Sequence, residues 1–230
     1  MIVQSPSATT ASAGSRGAES AVASESSVKE PLLKRPFDIL LSGLMLAISA
    51  PFWAVIALAI KLEDGGPVFY RQERWGRGQT RFQVLKFRTM VPHADQPGRV
   101  RQAVANDHRI TRVGRVLRAT GLDELPQILN IFRGDMSFVG PRALSVTEHR
   151  EDGVPLRYEE VPGFSTRLLV RPGLTGIATI YLPKDAPARR KFRADALYVR
   201  RLSFWLDLRL VALSFWISLR GKWETRDRKF

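Results

Sequence analysis

Residues 39–60 read ILLSGLMLAISAPFWAVIALAI, 22 positions without a formal charge, and about 20 apolar residues suffice for a helix to cross a bilayer. An uncapped apolar run of this length fits poorly inside a chain of 230 residues, so membrane association is expected ahead of a buried core helix. The flanks bear on topology. Lys34 and Arg35 precede the run, and Lys61, Arg71, Arg74, Arg77 and Arg81 follow it, so positive charge on both sides defines no spanning orientation. Pro51 near the centre removes a backbone donor and kinks or breaks a helix. A bent hairpin dipping into one leaflet and a simple kinked span both satisfy these facts.

Working outward, 36 Lys and Arg against 22 Asp and Glu leave a net charge of +14, which points to anionic partners. The absence of cysteine excludes disulfide frameworks, thiolate metal sites and cysteine nucleophiles. Only three histidines are present, so the chemistry is expected to rest on carboxylates and arginines, groups that handle phosphates. Residues 1–30, with eight serines, six alanines and no aromatic residue, read as a disordered tail too polar for a signal peptide.

Downstream, Val68-Phe69-Tyr70 and Phe82-Gln83-Val84-Leu85 flank Trp75-Gly76-Arg77-Gly78-Gln79 as a β-hairpin would. Residues 92–108 read as a polar loop able to move over a site, and Ile110–Leu117 as a basic amphipathic segment. Leu202–Leu219 carries Asp207 and Arg209 near its middle, which suits an interfacial helix better than a span. On it Phe204, Leu208, Val211 and Phe215 share a face, while Trp205 and Trp216 suit the headgroup zone. Clusters of Arg and Lys at 189–201 and 222–229 add about 1 kcal/mol per cation near anionic lipid.

Adjacent acids occur at Glu63-Asp64, Asp123-Glu124, Glu151-Asp152 and Glu159-Glu160. Three of these sit in glycine- or proline-containing polar stretches and read as solvated turns. Asp123-Glu124 differs, because Leu125, Ile128, Leu129 and Phe132 follow at helical spacing, Pro126 suits a first turn, Thr120 could cap, and Gly134 could end the helix. Carboxylates at a helix N-terminus should stay ionised, as a nucleophile or a Mg²⁺ ligand requires. Helix capping and salt bridging to Arg112, Arg115, Arg118, Arg133 and Arg142 are the structural alternatives.

The run Leu122-Asp123-Glu124-Leu125-Pro126-Gln127 with Asn130, followed by Gly134-Asp135-Met136-Ser137-Phe138-Val139-Gly140-Pro141-Arg142, resembles the core signature of the bacterial sugar transferases, the monotopic phosphoglycosyl transferases. Lys34-Arg35 with Asp38, Lys86-Phe87-Arg88-Thr89-Met90, Arg109-Ile110-Thr111 with Gly114, Arg171–Gly176, and Asp195 with Tyr198 and Ser203 agree in order. The likeness covers about residues 33–222. It implies an α+β, mostly helical monotopic membrane protein: a tail (1–30), a re-entrant helix (31–62) bent at Pro51, and a cytoplasmic catalytic domain (63–230) with interfacial helices and a small β-hairpin. It implies transfer of sugar 1-phosphate from a UDP-sugar to polyprenyl phosphate with release of UMP, an early step of exopolysaccharide or other glycoconjugate assembly.

By position in those motifs, Asp123 is the implied nucleophile and Glu124 the Mg²⁺ ligand. Arg118 and Arg142 are implied to hold phosphates, with Lys86, Arg88, Gln127 and Arg171 as further substrate contacts. Lys34, Arg35, Asp38 and Pro51 belong to the membrane segment. The expected setting is the cytoplasmic face of a bacterial inner membrane, among its lipids, where a homodimer is compatible. Three positions depart from the family's usual pattern: Ala143 for a proline, which bears on the rigidity of the loop presenting Arg142, Thr179 for a glutamine, and Leu129 for a tryptophan. A membrane-tethered nucleic-acid binder would share the charge but leave Asp123-Glu124 without purpose, and no nucleic-acid partner is expected; an inactive scaffold of the same fold is the other rival.

Overall fold

The two ends of the apolar segment, rather than its middle, decide where it sits. In the computed structural model, which describes residues 28–92, 94, 100–101, 107–149, 157–183 and 185–220, one helix, α1, runs from Lys34 to Asp64, unbroken through Pro51. It is the one helix among the described residues long and apolar enough to cross a membrane. Leu44, Ile48, Phe52, Val55 and Leu58 stand exposed along it.

Both ends are fastened to the body. At the start, Lys34 Nζ donates to Asp207 (2.6 Å) and to the Val139 carbonyl (2.9 Å), and Arg35 donates to the carbonyls of Ile131 (2.7 Å) and Phe132 (2.8 Å). Asp38 accepts from the Ser137 hydroxyl and the Phe138 amide, each at 3.1 Å. Lys34 and Asp38, expected at the lipid boundary, are therefore buried, because each charge finds polar partners inside the protein. At the far end Glu63 and Asp64 hold the body in turn, while Ile56 and Ile60 pack with Phe87 and Leu117.

The remaining chain is mostly helical. Strands β1 (Phe69–Trp75) and β2 (Arg81–Phe87) form the expected antiparallel hairpin, β1 running five residues further toward the turn than its β-prone run and β2 extending past its run on both sides, with a 3₁₀ turn at Arg77–Gln79. Next come β3 (Val100–Arg101), α2 (Arg112–Thr120), α3 (Gln127–Arg133), β4 (Ser137–Val139), β5 (Glu148–His149), α4 (Phe164–Arg167), β6 (Gly173–Thr175), α5 (Ile177–Tyr181), α6 (Ala188–Arg200) and α7 (Phe204–Leu219). β3 pairs in parallel with β5, and β4 with β6. The main core joins Val84 of β2, Ile131 of α3, Phe138 and Val139 of β4, Tyr198 of α6 and Leu210 of α7.

Helix α7 corrects one detail of the expected amphipathic face. Trp205, Leu208, Phe215 and Trp216 are its exposed apolar residues, whereas Phe204 and Val211 are half-buried. Asp207, which seemed to interrupt the apolar run, is buried and receives Lys34 and the Tyr198 hydroxyl (2.7 Å). The tail before residue 28, most of the loop at 92–108, Glu151-Asp152 and the basic cluster at 222–229 lie outside the described residues.

Candidate functional site

Helix α2 begins at Thr111, whose hydroxyl accepts the Gly114 amide (2.9 Å), and ends at Gly121. The chain then tightens into a 3₁₀ turn, Leu122–Glu124, passes Pro126 and enters α3. Asp123 and Glu124 thus stand on a turn ahead of a short helix rather than on its first α-helical turn. Thr120 does not cap it; its hydroxyl donates back to Val116 (2.8 Å) inside α2. Gly134, in the left-handed region (φ 102°), does end α3.

Asn130 secures α3 against the hairpin. Its amide oxygen accepts the Leu85 amide (3.0 Å) and its nitrogen donates to the Gln83 carbonyl (2.8 Å). The next residue on β2 is Lys86, whose Nζ lies 2.6 Å from Glu124 Oε1. Alternation puts Val84 and Lys86 on one face of β2, and the pairing of Gln72 with Val84 puts Gln72 and Arg74 on the same face of β1. On the opposite side, the loop after β4 brings Arg142 Nη2 to 3.8 Å from Glu124 Oε1, with the Arg142 side chain 58% exposed.

That loop crosses the loop leading into β6 so closely that a Cβ on Gly140 would meet the Arg171 carbonyl, and one on Gly173 the Gly140 amide. Glycine is therefore required where the two motifs meet. An open cleft results, lined by Arg74, Lys86, Glu124, Gln127 and Arg142 and floored by Gly173 and Leu174.

The electrostatics separate the two acids. Burial by itself would raise the Glu124 carboxyl, but Lys86 and Arg142 overcome it and bring it down to about 2, so Glu124 is ionised. Asp123 goes the other way: burial, with the Glu124 charge beside it, raises its carboxyl against the opposing pull of Lys86 and Arg118. The helix N-terminus therefore does not lower the Asp123 carboxyl as expected, because no long helix dipole meets it and burial outweighs the cations.

Three expected contacts come together around the acids: Lys86 and Arg142 directly, and Gln127 in the cleft wall. Arg118, exposed on the last turn of α2, acts on Asp123 through its charge. Arg88 does not join them. It is buried against Asp64 (2.7 Å) and also donates to the Met90 carbonyl (3.1 Å). Arg171 pairs with Glu30 at 2.7 Å. Arg74 is a cleft residue that sequence reasoning missed as part of the site; its period-two spacing with Gln72 on a strand facing Val84 was the available signal.

Among the described residues no group of three or more His, Cys, Asp or Glu converges as an all-protein metal cage. The donor set instead suits a hard cation such as Mg²⁺, which takes one or two carboxylates and fills its remaining positions with phosphate oxygens and water. Glu124 is ionised, and among the described residues only its Oε1 is engaged.

Comparison with known proteins finds extended likenesses. The family described as bacterial sugar transferase matches residues 29–221. A UDP-glucose:undecaprenyl-phosphate glucose-1-phosphate transferase of Caulobacter vibrioides is 44% identical over 185 residues, 78% of this chain and 67% of that one. An exopolysaccharide production protein, PSS, of Rhizobium leguminosarum is 43% identical over 78% of this chain and 92% of its own length. A UDP-N-acetylgalactosamine-undecaprenyl-phosphate N-acetylgalactosaminephosphotransferase of Aeromonas hydrophila is 37% identical over 82% of this chain but 44% of its own length.

Proposed function

This chain belongs to the bacterial sugar transferase family, and from that premise we propose that it moves a sugar 1-phosphate from a UDP-sugar to a polyprenyl phosphate, by way of Asp123. The observation that carries the reading is an ionised Glu124 in the cleft wall, held between Lys86 and Arg142, with Asp123 the residue before it on the same 3₁₀ turn. A diphosphate entering this cleft meets three cationic side chains, Arg74, Lys86 and Arg142, donors that suit phosphate oxygens.

In the first step an Asp123 carboxylate oxygen attacks the sugar-bearing phosphorus. The bond from that phosphorus to the bridging oxygen breaks, and UMP leaves. In the second, a polyprenyl phosphate oxygen attacks the same phosphorus and releases the carboxylate, giving a polyprenyl diphosphate sugar. Two displacements divide one difficult transfer into two easier ones. Glu124 would hold Mg²⁺, which when bound supplies charge neutralisation to the phosphates. Arg142, exposed and loosely spaced from Glu124, is free to swing onto an incoming phosphate.

The same reading places α1 within one leaflet, bent at Pro51, with the body on the cytoplasmic face of the inner membrane. Lys34 and Asp64 grip one body at opposite ends of a helix of 31 residues, about 45 Å if straight, which a crossing would place on opposite sides of a bilayer. On this plan residues 1–30 form a tail, 31–62 the membrane helix and 63–230 the catalytic part with α7 at the lipid surface. Because the chain contains no cysteine, single cysteines at Leu32 and Gly65 test this: a membrane-impermeant thiol reagent should label both from one side, and labelling from opposite sides overturns it.

The activity is tested by incubating the purified protein with Mg²⁺, undecaprenyl phosphate and a panel that includes UDP-glucose and UDP-N-acetylgalactosamine. UMP should be released by the native chain and not by Asp123→Asn. Mass spectrometry without acceptor should find a phospho-sugar on Asp123; UMP release only when acceptor is present, with no adduct, would establish direct transfer instead.

A further inference from the structure

Ala143, which follows Arg142, does not by itself restrict the backbone of the cleft loop. The backbone is nonetheless held at four consecutive carbonyls. Pro141 O accepts the Gly173 amide (2.9 Å), Arg142 O accepts Arg167 Nη2 (2.7 Å), Ala143 O accepts Arg74 Nη1 (2.8 Å), and Leu144 O accepts the Trp75 amide (2.9 Å). Three segments, β1, α4 and β6, thus grip the loop while the Arg142 side chain stays out in the cleft. Two of the four donors are main chain; the other two are arginine side chains, and of these Arg74 itself lines the cleft.

Arg167 is different in kind. Its side chain is 3% exposed, lies 3.1 Å from Asp195, and is stacked over the Phe192 ring at 4.4 Å. It is not among the residues lining the cleft. Its Nε and Nη1 find no hydrogen-bond partner among the described residues. An ion pair serving only to tie α4 to α6 would gain by satisfying those donors. Arg167 instead spends its directed bond on the carbonyl of the residue whose side chain faces Glu124.

We infer that Arg167 is a positioning residue for Arg142, holding the backbone of the cleft loop from below, with Asp195 and Phe192 fixing the guanidinium that does so. The function of that loop rests on the transfer reaction proposed above; its rigidity does not. A loop fixed in its main chain with a free side chain suits a group that must find a phosphate without searching for its own starting point. Arg74 works beside it on Ala143 while also facing the cleft, so it cannot isolate the effect.

Arg167→Lys in the full-length protein tests this, because lysine keeps the charge opposite Asp195 but lacks the planar guanidinium that stacks on Phe192 and aims Nη2 at the Arg142 carbonyl. Hydrogen exchange of peptides covering residues 140–146 should accelerate about tenfold or more, with β1–β2 peptides and the melting temperature nearly unchanged. kcat/KM for the UDP-sugar should fall by about 10- to 100-fold, mainly through KM, and the same change on an Arg142→Ala background should cost nothing further. Unchanged exchange at 140–146, or a loss that adds in full to that of Arg142→Ala, overturns the inference. Should Arg167→Lys fail to fold, Arg167→Met combined with Asp195→Asn, which leaves no buried charge and no donor for the Arg142 carbonyl, is read by the same exchange criterion. If the native protein releases no UMP from any donor, the transfer reading falls while the exchange measurement still decides this one.

Discussion

Two acidic pairs in this chain look alike in sequence and end in opposite situations. Glu63-Asp64 closes α1, and its carboxylates are consumed: Glu63 accepts the amides of Arg112 (2.6 Å) and Val113 (3.1 Å) at the start of α2, and Asp64 receives the buried Arg88. Asp123-Glu124 lies at the other end of α2, where Lys86 and Arg142 surround Glu124 and, among the described residues, no directed bond from a side chain engages Asp123. One pair is fully answered by the protein; the other is left with unspent charge beside an open cleft. What separates structure from chemistry here is the balance of partners around the acids, not the acids themselves.

The sharpest way to break this comparison is to neutralise one acid from each pair. Asp123→Asn should lower UMP release by about 10³-fold or more, as expected for a covalent nucleophile, and leave the melting temperature unchanged or slightly higher, since burial disfavours its charge. Asp64→Asn should do the reverse. It leaves Arg88, 7% exposed, without its carboxylate, at a cost of about 2–4 kcal/mol and about 2–4 °C of melting temperature per kcal/mol, while folded molecules keep their turnover. Thermal melts beside UMP assays decide it: if Asp64→Asn abolishes turnover without lowering stability, the two pairs are not divided as described.

How much of this could be read beforehand depends on the distance over which each residue finds its partner. The hairpin was legible because β-prone runs and a glycine-containing loop are local signals, and Asp123-Glu124 stood out because apolar residues at helical spacing follow it at once. The 3₁₀ turn was not legible, since a 3₁₀ and an α-helical start share residue types, and that local difference reversed the expected shift of Asp123. Glu63-Asp64 read as a solvated turn because its partners Arg88 and Arg112 are 24 and 49 positions away. Asp207 looked like an interruption because Lys34, 173 positions distant, is what makes its burial affordable. Glu159-Glu160, with no such distant partner, is the solvated turn it appeared to be: both side chains are exposed.

A pH series sharpens the comparison within the active pair. The nucleophile must be a carboxylate, and Asp123 titrates above the ordinary aspartate value of 3.8, so the acid limb of kcat/KM should lie above that value and fall about tenfold per pH unit below it. Lys86 pulls Asp123 down, so Lys86→Met should move the limb to higher pH. Glu124, already ionised above about 2, should contribute nothing to the limb in the native protein. A limb that stays in place in Lys86→Met would show that another group governs the rate.

The smallest expected effect falls on Glu63. Its carboxylate takes two orphan amides and meets the positive end of α2, a cap of the usual kind supplied by a distant residue instead of the adjacent one. Glu63→Gln keeps one acceptor and loses the charge, so about 1 kcal/mol of stability should go, readable as a small drop in melting temperature. Thr111 still caps α2 through the Gly114 amide, so the helix should persist and deliver Asp123 to the same turn. Turnover at saturating donor should therefore be nearly native. If it instead falls as far as in Asp123→Asn, the first pair reaches the chemistry through α2, and the division between a structural and a reactive acid pair fails at the helix that joins them.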